Sequence, residues 1–150
     1  LTDCGAMYDA ILVPTDGSDA ASAAAGRAID LASRVGADPY VLYVADERMS
    51  PVDPSMDREA VRDLLAAAET DPLRSVVSRA ERAGLAPVDD VRVGVPHEAI
   101  VDYVRERGID LVVMGTHGRT GLDRVLLGST TERVLRTSPA PVLTVSAASR

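Results

Sequence analysis

Asp9-Ala10-Ile11-Leu12-Val13-Pro14-Thr15-Asp16-Gly17-Ser18 decides how the rest of the chain is read. An apolar, partly β-branched run ends in a Pro-Thr-Asp-Gly-Ser turn. A continuous apolar run bounded by turn residues reads as a strand buried on both faces. Such strands belong to parallel sheets covered by helices. The neighbouring residues agree. Ser18 or Asp19 is placed to cap a helix over residues 20–35, with Gly36 as its stop. Ala21, Ala24, Ala25, Ala28, Ile29, Leu31 and Ala32 give that helix a small-residue face suited to close packing on a sheet.

The pattern repeats downstream. Residues 39–45 (Pro39-Tyr40-Val41-Leu42-Tyr43-Val44-Ala45) form a second strand, with a loop over 46–55 after it. Helical periodicity then runs over 57–83, interrupted by Pro72. Either the helix kinks there or Asp71 caps a new helix with Pro72 at its first position, and we favour two segments. Strands are predicted at 88–95, 109–114 and 142–145. A helix opens at Pro96 and stops at Gly108. Ser129-Thr130-Thr131-Glu132 matches a capping box that opens a last short helix. The alternation of strand and helix predicts one α/β domain, a parallel sheet with helices on both faces. Ligands of such sheets sit outside the carboxyl ends of the strands, where strand order reverses. Residues 1–6, ahead of Met7, read as a disordered N-terminal segment, 7–146 as the domain and 147–150 as a tail.

Composition narrows the function. The chain has 150 residues, a formal charge of -7 and a pI near 4.7, so it lacks the basic footprint of a nucleic-acid binder. All 16 basic residues are Arg. Without Lys there is no Walker A loop and no lysine Schiff base. Cys4 is the single cysteine, which excludes an internal disulfide and reads as a bystander. No apolar run reaches membrane length and no signal-peptide pattern opens the chain, so a cytoplasmic location is expected.

The chemistry concentrates after the fourth strand. Gly115-Thr116-His117-Gly118 is followed by nine residues and then Gly128-Ser129. Gly115 and Gly118 let backbone approach a ligand, and successive N–H groups there suit an anion. The helix beginning near Ser129 aims free N–H groups and its positive dipole end the same way. Ser129, Thr130 and Thr131 add hydroxyls. The same residues also suit plain helix capping and turns, and Glu132 would oppose a phosphate. Spacing alone leaves both readings open.

Gly-x2-Gly-x9-Gly-[Ser/Thr] after an apolar strand ending Met-Gly resembles the nucleotide-binding signature of the universal stress protein family. Gly115, Gly118, Gly128 and Ser129 fill it. The flanks Met114 to Gly121 and Leu126 to Leu135, the opening Ile11 to Ser18 and the closing Pro139 to Leu143 are similar to the family's forms. This resemblance implies a five-stranded, Rossmann-like sheet of the adenine nucleotide alpha hydrolase-like kind, order 3-2-1-4-5. It implies ATP, or ADP or AMP, as ligand. Pro14, Thr15 and Met114 would line the pocket and Asp16 would reach the ribose or a Mg2+ held through the phosphates. Val44 would lie against adenine and Gly115 near the ribose. Gly118, Gly128, Ser129 and Thr130 would hold phosphates, with His117 and Arg119 adding charge. It also implies a homodimer through Val142 to Val145 and a regulatory or stress-response role with an unknown downstream protein partner. Nothing spells out a catalyst: no nucleophile elbow or kinase motif set appears. The alternatives are a nucleotide-free dimeric interaction protein and a slow Mg-dependent ATP hydrolase.

Overall fold

The computed structural model describes residues 7–48, 55–67, 71–117 and 127–147. The strands are β1 (Ala10–Thr15), β2 (Asp38–Asp46), β3 (Val88–Gly94), β4 (Leu111–Gly115) and β5 (Val142–Val145). The helices are α1 (Asp19–Val35), α2 (Arg58–Ala67), α3 (Pro72–Arg82), α4 (Pro96–Arg107) and α5 (Ser129–Thr137). The strands form one parallel sheet in the order β3-β2-β1-β4-β5. The order expected from the resemblance is therefore the order found.

Side chains alternate across the sheet because successive strand residues point to opposite faces. Ile11, Val13, Val41, Val91, Leu111 and Val113 pack under α1, α2 and α3. Leu12, Leu42, Val112 and Met114 pack under α4 and α5 with Ile100, Tyr103, Val104 and Val134. Helix α1 buries Ala20, Ala21, Ala24, Ala25, Ala28 and Ala32, so its backbone lies close on the sheet. Ser18 caps it, its Oγ accepting from the Ala21 N–H at 3.1 Å. Of the two readings at Pro72 the second holds. Asp71 caps α3, accepting from the amides of Leu73 and Arg74, with Pro72 in the first turn.

Two expectations need correction. The fourth strand begins at Leu111, not at residue 109, because the carboxylate of Asp110 turns back to accept from the amides of Asp9 and Ala10 at 2.8 and 3.0 Å. The capping box at Ser129 does not form. The N-cap of α5 is Gly128, which has no side chain to cap with, and this register places Glu132 one residue too far into the helix. Its carboxylate instead takes Arg136, four residues on, at 3.0 Å. Among the described residues no helix is long and apolar enough to cross a membrane. Cys4 lies outside the described residues.

Candidate functional site

Strands β1 and β4 are neighbours, and the helices after β1 and β4 leave to opposite faces of the sheet. Their carboxyl ends thus form the switch point at which the topology opens a crevice. The register Ile11–Leu111 and Leu12–Val112, continued along both strands, brings Thr15 level with Gly115.

On the β1 side, Pro14 and Thr15 are buried. Thr15 Oγ1 accepts from the Gly17 N–H at 3.3 Å, and Asp16 Oδ1 accepts from the Ser18 N–H at 2.9 Å. Gly17 turns at φ 83, a left-handed conformation that a side chain would strain. Asp16 is half-buried at the crevice rim, with one carboxylate oxygen engaged in this turn. Val44 lies one residue beyond the last β1–β2 pair, Thr15–Tyr43, and is half-buried on the α4–α5 side. Asp46 closes β2, and hydrogen bonding to the Arg48 guanidinium holds its carboxyl below the usual range.

On the β4 side, Met114 is core, packed on the α4–α5 face. Gly115 has a structural reason to be glycine. A Cβ there would stand 2.6–2.8 Å from the carbonyl carbon, Cβ and carbonyl oxygen of Ala20 in α1. The Thr131 hydroxyl does not face a ligand. It is buried and donates to the Gly115 carbonyl at 2.8 Å, tying α5 to the end of β4. This corrects its expected place among the outward hydroxyls; the sheet-facing third position of α5 turned it in. Thr116 Oγ1 stands 3.1 Å from His117 Nδ1, and His117 Nε2 is buried with no hydrogen-bond partner among the described residues.

The Gly128 N–H is engaged too. It donates to the Thr116 carbonyl at 2.7 Å, which ties the start of α5 to the end of β4. Gly128 then gives its carbonyl to the Glu132 amide at 3.0 Å, starting α5. A helix leaves its first N–H groups without intrahelical acceptors. Ser18 covers that need at α1 and Asp71 at α3, but among the described residues no side chain does so at α5. Ser129 is exposed and Thr130 half-buried there. The amides of this first turn, with the positive end of the α5 dipole, are therefore the anion-ready part of the crevice. Sequence reasoning counted more donors than the fold offers, since Gly128 and Thr131 are engaged internally. Gly118 and Arg119 lie outside the described residues.

Among the described residues no three His, Cys, Asp or Glu side chains stand together to hold a metal. Any Mg2+ at this crevice would draw its ligands chiefly from a polyphosphate, with Asp16 the nearest carboxylate of the β1 turn.

Comparison with known proteins gives a consistent result. The model of the universal stress protein family matches residues 7–146. The universal stress protein MJ0531 of Methanocaldococcus jannaschii is 39% identical over 142 residues, covering 93% of this chain and 82% of that protein. The solved structure of MJ0577, from the same organism, superposes with a TM-score of 0.78 at 32% identity, covering 96% of this chain and 99% of the other. A universal stress protein solved in complex with cAMP superposes with a TM-score of 0.73 at 29% identity, covering 95% and 99%.

Proposed function

This chain belongs to the universal stress protein family, and on that premise we propose that it binds an adenine nucleotide, ATP or a close relative, as a regulatory module. The base would lie near Val44, the ribose by Asp16 and Gly115, and the phosphates over the first turn of α5. The single observation that carries this reading is the start of α5: a helix N-terminus at the switch-point crevice, with Gly128 in place of a capping side chain. A universal stress protein of the same fold that takes up cAMP supports the choice of adenine nucleotides. Mg2+, if used, would ride on the phosphates beside Asp16. Gly118 and Arg119 remain part of the proposed phosphate end by motif, and His117 stands beside it with its ring held by Thr116.

Titration calorimetry with ATP on nucleotide-stripped protein tests the reading. Saturable binding at submillimolar concentration is expected. The absence of any heat of binding at millimolar ATP, ADP and AMP would instead favour the nucleotide-free interaction protein.

We further propose that the chain pairs with a second copy through β5. That strand is an edge of the sheet, and Leu143 on it is 44% exposed. Unpaired apolar edges invite strand pairing. Sedimentation at high protein concentration reads this directly, and a mass of one chain would rule it out.

A further inference from the structure

The two edges of the sheet are finished differently. At β3, the edge opposite β5, side chains take two outward backbone groups, the Asp89 carbonyl and the Val91 N–H. Arg62 of α2 donates to the Asp89 carbonyl at 3.0 Å and to the Asp89 carboxylate at 2.8 Å. The Val91 N–H is accepted by Asp90 Oδ1 at 2.9 Å, and the same oxygen pairs with Arg58 of α2 at 3.2 Å. Two guanidiniums from consecutive turns of one helix thus close an edge that would otherwise accept a further strand.

Helix α2 is otherwise thinly attached. Val61 is its one buried side chain, where α1 has six. Leu64 is 48% exposed. Its removal would leave no buried charge without a partner. Asp90 is buried, but its second oxygen pairs with Arg107 of α4 at 3.2 Å, and Asp89 is already partly wet. With Arg58 gone, Asp90 keeps the Arg107 guanidinium and the Val91 amide.

We infer that α2 is a releasable strap, held on the β3 edge by Arg58 and Arg62, that opens without the rest of the domain and uncovers the outward carbonyl of Asp89. Local opening of this kind arises where apolar contacts are few and polar ones partly exposed. It stands independently of nucleotide binding.

Amide hydrogen exchange on the full chain tests it, comparing wild type with the double variant Arg58→Gln, Arg62→Gln. Gln keeps similar helix propensity, so lost ion pairs rather than lost helix are read. In wild type, residues 58–67 should exchange well ahead of 19–35. In the variant, 58–67 should exchange at least tenfold faster, with 10–15 unchanged as the reference for an intact core and the Val91 amide still held by Asp90. Leu64→Gln, at an exposed position of the same helix, should leave 58–67 near the wild-type rate. Exchange of 58–67 in step with 10–15, or exchange of 58–67 indifferent to loss of both arginines, would overturn the strap. A rise in all segments together would do the same, because it would make α2 part of the global folding unit.

Discussion

Ser129→Asp should raise the melting temperature of the nucleotide-free protein and cut its affinity for ATP by tenfold or more. The two effects have one cause. Ser129 is exposed, at the first position of a helix whose N-cap, Gly128, carries no side chain. A carboxylate there meets the positive end of the dipole and the free amides, a gain of about 0.3–1 kcal/mol. A phosphate group bound at the same place would then face a fixed negative charge, and a tenfold loss corresponds to about 1.4 kcal/mol. Thermal melting and calorimetry on one preparation read both. Better apo stability with unchanged ATP affinity would move the phosphates away from α5.

Gly115→Ala should destabilise the fold by about 2 kcal/mol before any ligand is added. The added methyl meets Ala20 at 2.6–2.8 Å, and two of the three atoms it meets belong to backbone, which cannot swing aside as a flexible side chain can. Either α1 lifts from β4 or the end of β4 shifts. The second route also strains the hydrogen bond from Thr131 to the Gly115 carbonyl. Overpacking of this kind costs about 1–3 kcal/mol. In a domain of this size each kcal/mol lowers the melting point by about 2–4 °C. If Gly115 served only ligand approach, the nucleotide-free variant would melt where the wild type does.

Gly115 also marks the boundary between what was readable in the sequence and what was not. The β1 run and its turn declared a buried parallel strand from local pattern alone, and the helix stops at Gly36 and Gly108 came from the same logic. The Asp71–Pro72 helix start was equally local. Asp110 was not legible in this way, because its carboxylate answers amides about a hundred residues away, which no window of sequence contains. At α5 the letters Ser129 to Glu132 fitted a capping box, yet a shift of one residue in the N-cap gave Glu132 to Arg136. Thr131 looked like an outward hydroxyl until the helix was seen docked with that residue inward. The motif therefore located the crevice but not the division of labour within it. Some of its glycines and hydroxyls build the support, and the first-turn amides of α5 have no capping side chain among the described residues. The strap at β3 shares this character, since Arg58 and Arg62 meet Asp90 and Asp89 across elements distant in sequence.

The most direct test of nucleotide binding at α5 is amide NMR of the nitrogen-15-labelled protein titrated with ATP and, separately, with adenosine. ATP should shift the Ser129 and Thr130 amide signals strongly, and adenosine should move signals near Val44 while leaving those two nearly in place. Ser129 and Thr130 signals that stay fixed at saturating ATP, or that respond equally to the phosphate-free nucleoside, would contradict it.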